Sequence, residues 1–144
     1  MTKTLYTARA HTTGGREHGH GRTRDGELDV NIRPPREAGG PGGGTNPEDL
    51  IAIGWASSFE SSLGIVARRH HLVATDVSID SDITLLSADD GGLSLEATLD
   101  VALPSIPDRE AAAELIREAD HVCPYSNAFR GNIDITYSLD GQPV

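Results

Sequence analysis

The first third of the chain carries alternating apolar and polar residues, a pattern typical of half-buried β-strands. Residues 5–12 alternate in this way, and residues 28–32 resume the alternation after a polar stretch and the turn-forming pair Asp25-Gly26. Two prolines at 34–35 end the pattern, and the glycine-rich stretch 39–44 follows as a flexible connection. This part of the sequence therefore predicts a small antiparallel meander.

A long helix with a well-marked start comes next. Thr45-Asn-Pro-Glu48 places a capping residue, a proline of the first turn and a glutamate three positions after the threonine, in the order of a capping box. From there to about residue 71, apolar residues recur at helical spacing with many small side chains between them. Because small side chains let another helix or strand come close, the pattern predicts a long central helix that is buried on most sides.

The rest of the chain alternates between strand and helix signals. The signals follow in this order: a strand at 76–86, a turn at 89–92, a strand at 93–103, a helix at 106–119 and a strand at 132–138. Asp108 is the expected cap of the second helix, and a short helical turn is expected after Cys123. This order predicts an α+β fold, with helices packed on antiparallel sheets, built as one domain over residues 1–144.

Charge and composition narrow the classes of partner and compartment. The formal net charge of the 144 residues is -10, which argues against nucleic acid as a partner, because phosphates are bound by Lys and Arg. One cysteine excludes an intrachain disulfide framework, and the start of the chain lacks the apolar core of a signal peptide, so we expect a cytoplasmic protein. No run reaches the roughly 18 consecutive apolar residues that define a membrane span, so no membrane partner is expected.

The single cysteine, Cys123, is the first candidate for chemistry. It precedes Pro124 and a run compatible with a helix, where backbone N–H groups and the helix dipole favour a thiolate. Ser57 and Ser58 interrupt the apolar helix far upstream, and together these features suggest a two-cysteine redox site that lacks one cysteine. The alternative is that Cys123 is a small buried apolar residue.

Three separated motifs resemble one protein family. They are Thr13-Gly-Gly-Arg16, then Gly44-Thr-Asn-Pro-Glu-Asp-Leu50 running into the small-residue helix, and Val122-Cys-Pro-Tyr-Ser-Asn-Ala with Arg130-Gly-Asn-Ile133. In this order they resemble the organic hydroperoxide resistance proteins, a branch of the OsmC-like superfamily, over nearly the whole chain. The resemblance implies an OsmC-like fold, an intertwined homodimer and thiol-dependent reduction of organic hydroperoxides to alcohols without a cofactor or metal.

The resemblance also implies roles for four residues. In the family a peroxidatic cysteine lies on the central helix, and in this chain Ser58 matches its position. Cys123 matches the cysteine that resolves the sulfenic acid, while Arg16 and Glu48 match the activating arginine and its carboxylate. A small dithiol, such as a lipoylated protein, is the implied reductant. Because a serine oxygen has no accessible sulfenic state, the chain as written is expected to be inactive or impaired.

Helix geometry adds an inference about assembly. Glu48 and Ser58 are ten positions apart in the sequence, which on one straight helix corresponds to roughly 15 Å of rise. Two such residues cannot share a compact site on that helix within one chain. Either the helix breaks near Gly54, or Glu48 is supplied by a second subunit across a twofold axis, which the small-residue helix surface favours.

Other roles stay open for these residues. Glu48 could only cap its helix, Arg16 could be an exposed turn residue, and Ser58 could be a small packing residue. The histidines at 18 and 20, and those at 70 and 71, lack a cysteine or carboxylate cluster at ligand spacing, so no metal site is expected. The alternative functions are a non-catalytic binder of a hydrophobic ligand in the interfacial pocket and a serine hydrolase; the latter is disfavoured because no G-x-S-x-G motif is present.

Overall fold

A computed structural model describes all 144 residues, which divide into two compact units, Met1–Leu50 and Ile51–Val144. In the first unit, three antiparallel strands form one sheet in the order β1 (Ala10–Thr13), β2 (Gly19–Thr23), β3 (Asp29–Ile32). The hairpin between β2 and β3 turns at Gly26, whose φ is +79°. The predicted meander is confirmed, but its first strand was placed wrongly: residues 5–9 are exposed and outside the sheet, because they have no partner strand.

The second unit contains a four-stranded sheet in sequence order: β4 (Ser78–Ser87), β5 (Leu93–Ala102), β6 (Asp134–Leu139) and β7 (Gln142–Pro143). Between β5 and β6 the chain forms helices α2 (Arg109–Val122) and α3 (Pro124–Phe129). This helical crossover returns the chain to the end of the sheet at which β5 began, so β6 runs parallel to β5. The expectation of purely antiparallel sheets fails for this pair. Asp108 caps α2 as predicted, accepting a hydrogen bond from the N–H of Ala111.

The long helix α1 (Pro47–Arg69) runs without a break through Gly54, so the first of the two helix alternatives does not occur. Apolar side chains of α1, β5 and α2 form the core of the second unit, and its fully buried members include Trp55, Phe59, Leu63, Leu99, Val101 and Ile116. Only one face of α1 is buried, however, and Ile53 and Ile65 on its other face are exposed. The expectation of a helix buried on most sides is therefore wrong for the single chain.

By length and composition, α1 could cross a membrane, since an 18-residue window has a mean hydropathy of 1.4. No unbroken apolar run marks this helix in the sequence, because small and polar residues interrupt it. One third of that window is buried inside the protein, and a core helix passes the same test.

Candidate functional site

The side chains of Ser58 and Cys123 meet in the second unit. Cys123 is fully buried at the junction of α2 and α3, where its backbone N–H donates to the carbonyl of Ala119 and its carbonyl accepts from the N–H of Asn127. Its thiol donates to the Ser58 hydroxyl across a Sγ to Oγ distance of 3.7 Å. The structure therefore places the only thiol of the chain in contact with Ser58, the residue predicted to occupy the peroxidatic position.

A glycine on α1 lies against the side chain of Tyr125. Gly54 lies one helical turn before Ser58, and a Cβ atom at Gly54 would lie 3.2 Å from the hydroxyl oxygen of Tyr125, which is tighter than most Cβ contacts. Tyr125 belongs to α3, directly beyond Cys123. The absence of a side chain at Gly54 thus leaves room for the Tyr125 hydroxyl beside α1.

Four further side chains, those of Trp55, Ser126, Tyr137 and Asp120, form a hydrogen-bonded chain in the same unit, and sequence reasoning missed it. The Trp55 indole donates to the Ser126 hydroxyl at 3.1 Å, and the Ser126 and Tyr137 hydroxyls are 2.8 Å apart. Tyr137 donates to the Asp120 carboxylate at 2.6 Å. The available signal was the single tryptophan, because a buried indole N–H needs a hydrogen-bond acceptor. The sequence alone does not show which acceptor lies beside it.

The environment of Tyr137 keeps its phenol protonated. Burial is the main cause that raises the pKa of Tyr137 above its ordinary value of 10.0, and the hydrogen bond to the Asp120 carboxylate acts in the same direction. A phenol with a raised pKa remains a hydrogen-bond donor throughout the physiological range.

Arg16 and Glu48 form a bidentate ion pair within the first unit. The two guanidinium nitrogens of Arg16 lie 2.7 Å and 2.9 Å from the two carboxylate oxygens of Glu48. The Arg16 side chain is 47% exposed and that of Glu48 is 13% exposed. The guanidinium holds the pKa of Glu48 below its ordinary value, against the opposing effect of desolvation.

The turn before Arg16 requires glycine. Gly14 has a φ of +76°, and a Cβ atom there would lie 2.2 Å from the carbonyl oxygen of His18. Gly15 follows with a φ of +59°. The Thr-Gly-Gly-Arg motif therefore builds a tight turn that only glycine fits without strain, and Arg16 follows it directly.

The start of α1 differs from the predicted capping box by one position. Asn46, not Thr45, accepts the hydrogen bond from the N–H of Asp49, at 2.8 Å, and its amide donates to the Asp49 carboxylate at 2.9 Å. The reciprocal pair is thus Asn46 and Asp49. Because Asp49 takes the acidic position of the cap, both carboxylate oxygens of Glu48 are free to bind Arg16.

One histidine of each pair contacts a carboxylate. His20 lies 2.5 Å from the Asp29 carboxylate, and His70 lies 2.6 Å from that of Glu118. No group of three or more His, Cys, Asp or Glu side chains is arranged to hold a metal ion.

The exposed face of α1 borders an open groove in the second unit. The groove has a volume of about 560 Å³, and its lining includes Ser57, Ser61, Gly64, Ile65, Ala74 and Val77. Glu60 and Arg68 also line the groove, so its wall is partly charged, and the groove has room for side chains of another protein surface.

The sequence is similar to proteins of one known family. Residues 40–138 match the family model described as OsmC-like protein. An organic hydroperoxide resistance protein from Xanthomonas axonopodis pv. citri is 45% identical over 139 residues, which are 95% of this chain and 96% of the relative.

Solved structures show a similar fold. An organic hydroperoxide resistance protein from Legionella pneumophila superposes with a TM-score of 0.87 at 43% identity, covering 95% of this chain and 98% of that one. A Vibrio cholerae protein of the same description, with captopril bound in one of its active sites, gives a TM-score of 0.91 at 34% identity over 99% of this chain and 96% of its own.

Proposed function

This chain belongs to the OsmC-like family and, within it, to the organic hydroperoxide resistance proteins, and from this premise we propose that its site is built for the thiol-dependent reduction of organic hydroperoxides to alcohols. Position 58 is the proposed peroxidatic position, Cys123 the resolving thiol, and Arg16 and Glu48 the activating pair. Residues 1–144 would act as one domain of this family.

One observation carries the proposal: the Cys123 thiol lies 3.7 Å from the Ser58 hydroxyl oxygen, and Cys123 is fully buried. A sulfur atom at position 58 would stand within reach of the second sulfur, as disulfide formation requires. Ser58 itself is half-buried, so a peroxide can reach position 58 while Cys123 stays behind it.

The proposed reaction has two steps at a thiol on position 58. In the first, the thiolate attacks the terminal OH oxygen of the hydroperoxide, the O–O bond breaks, and the sulfur becomes a sulfenic acid. The alkoxide that leaves takes up a proton and becomes the alcohol. In the second, the Cys123 sulfur attacks that sulfenic sulfur, water leaves, and a disulfide forms. A dithiol, such as a lipoyl group, then reduces the disulfide and becomes a disulfide itself.

Ser58 blocks the first step in this chain. A hydroxyl is rarely ionised without a dedicated base, and its oxygen cannot store the oxidising equivalent. We therefore propose that the chain as written is inactive or impaired as a peroxidase, while the fold and Cys123 are retained. The paired guanidinium of Arg16 would favour a thiolate, and Glu48 would hold it in a forked, two-bond geometry.

We also propose that the protein is a homodimer. The uninterrupted helix α1 leaves the second alternative, in which Glu48 of the partner subunit completes the site. The open groove beside Gly64 and Ile65 supports this, because the small α1 residues Ser57, Ser61 and Gly64 in its wall would let another copy approach closely. A cytoplasmic location and a lipoylated reductant complete the proposal.

The test is a paired assay of this chain and Ser58→Cys. Consumption of tert-butyl hydroperoxide is measured with dihydrolipoamide as reductant, and we expect turnover in Ser58→Cys and none above background in the parent chain, since only a thiolate performs the first step. The double variant Ser58→Cys/Cys123→Ser is the matched control, and it should react once with peroxide but stop at the sulfenic acid.

Two outcomes would contradict the proposal. Equal turnover by the parent chain and Ser58→Cys would show that position 58 is not where the peroxide reacts. A Ser58→Cys protein that is inert to hydroperoxides but binds a fatty-acid probe would instead support the non-catalytic binder.

A further inference from the structure

The hydrogen-bonded chain near Cys123 has a fixed direction. The Trp55 indole can only donate, and the Asp120 carboxylate can only accept. Ser126 must therefore accept from Trp55 and donate its own proton to the Tyr137 oxygen, while Tyr137 donates to Asp120. Each hydroxyl both accepts and donates, so its orientation is determined by its two neighbours.

This series of hydrogen bonds connects both sides of the Cys123 junction to the helix that carries Ser58. Asp120 lies three residues before Cys123 on α2, and Ser126 lies three residues after it on α3. Trp55, at the other end, lies three residues before Ser58 on α1. Because residues three apart share a helix face, the hydrogen bonds link the segment that carries Ser58 to the segments on either side of Cys123.

The outer end of the chain is anchored as well. The second oxygen of the Asp120 carboxylate accepts from Nε of Arg130 at 2.9 Å, and Arg130 also donates to the Asn127 side chain at 2.9 Å. The backbone carbonyl of Asp120 is a further acceptor for Arg130. Asp120 therefore cannot turn away from Tyr137 without breaking a second set of bonds.

We propose that Ser126 and Tyr137 are positioning residues that hold the Cys123 thiol within reach of position 58. This inference rests on the proposed function, since its role there is the second step, closure of the disulfide between the two positions. A shift of about 1 Å between reacting atoms can slow a reaction about a hundredfold, so a rigid junction matters for this step.

The experiment uses the full chain with Ser58→Cys and adds Tyr137→Phe. The phenyl ring keeps the stack on Phe59, whose ring centre is 5.1 Å from that of Tyr137, and only the hydroxyl is lost. The matched control is Ser138→Ala, which removes another buried hydroxyl from the same strand, one bonded to Asp100 at 2.5 Å. Thermal unfolding of both variants confirms that each one folds.

The measurement is the equilibrium of the disulfide between positions 58 and 123 with a glutathione redox buffer. A looser junction lowers the effective concentration of one thiol at the other, and we expect Tyr137→Phe to destabilise the disulfide about tenfold, the usual effect of one buried hydrogen bond. A tenfold change corresponds to a reduction potential about 30 mV less negative. Ser138→Ala should keep the potential of the Ser58→Cys parent.

A second variant tests whether the hydrogen bonds of Ser126 and Tyr137 act together. Ser126→Ala breaks the same chain at its middle, and the double variant Ser126→Ala/Tyr137→Phe should lose no more than either single change, because both act through one set of bonds. With tert-butyl hydroperoxide, the rate of sulfenic acid formation should stay unchanged in Tyr137→Phe, while closure slows and dimedone traps more sulfenic acid.

The outcomes separate this inference from the proposed function. Unchanged potentials in Tyr137→Phe and Ser126→Ala, or an equal shift in Ser138→Ala, would overturn the inference, because the effect would then be absent or a general loss of packing. The glutathione equilibrium needs no peroxide. A Ser58→Cys protein that fails to react with hydroperoxide but shows the expected shifts would therefore support the positioning role and refute the peroxidase proposal.

Discussion

The start of α1 offers two possible caps that are out of register by one residue, Asn46 with Asp49 and Thr45 with Glu48, and replacing Asn46 should let them compete. The structure uses Asn46 with Asp49, through bonds of 2.8 Å and 2.9 Å, and leaves Glu48 to Arg16. Asn46→Ala removes this cap. Thr45 with Glu48 then becomes the better box, and it would draw the Glu48 carboxylate toward the helix N-terminus and away from Arg16.

The magnitudes of the two effects are similar, which is why the competition is measurable. Loss of an N-cap lowers the free energy of unfolding by about 1 kcal/mol. The ion pair between Arg16 and Glu48 contributes up to about 1 kcal/mol, since the Arg16 side chain is 47% exposed and solvent screens it. Asn46→Ala should therefore lower the free energy of unfolding by about 1 kcal/mol and the melting temperature by about 2–4 °C for a chain of this size.

The decisive assay is a double-mutant cycle in urea. The variants Arg16→Gln and Glu48→Gln are compared singly and together, first with Asn46 present and then with Asn46→Ala. The coupling energy should fall toward zero in the second background. Asp108→Ala, which removes the equivalent cap of α2, should reduce stability by a similar amount and leave the coupling intact.

Two results would refute this reasoning. A coupling energy between Arg16 and Glu48 that is the same with and without Asn46 would show that the capping register does not control Glu48. An equal fall of the coupling in Asp108→Ala would show that any loss of stability loosens the pair.

Three other predictions follow from the burial and charge of single side chains. The pKa of Glu48 is depressed in the folded state, so the carboxylate's contribution to stability is present above a pH of about 4.5 and is lost as the pH falls below it. In acid unfolding, the difference in stability between the parent chain and Glu48→Gln should therefore disappear below that pH. Gly64→Arg fills the open groove and should convert a dimer into a monomer in sedimentation analysis, whereas the same change at the exposed Leu93 should leave the assembly unchanged. Leu63→Ala should lower the free energy of unfolding by about 2–5 kcal/mol, because Leu63 is fully buried, and Leu93→Ala by under about 0.5 kcal/mol in denaturant titration.

Local signals in the sequence predicted the elements that neighbouring residues decide. The turn at Gly26, the strand pair β4 and β5, and the cap at Asp108 depend on residues close in sequence, and all three are confirmed. The short strand β7 was missed, because two residues carry too little alternation to be recognised.

By itself, the sequence determined the α+β class, the family motifs, and the absence of a second cysteine at position 58. The tertiary structure alone decided the parallel pairing of β6 with β5 and the hydrogen bonds that link Trp55 to Asp120. The physical reason is the range of the interactions: a strand alternation or a cap is a choice among nearby groups, whereas a buried hydroxyl or indole finds its partner only when distant segments have packed together.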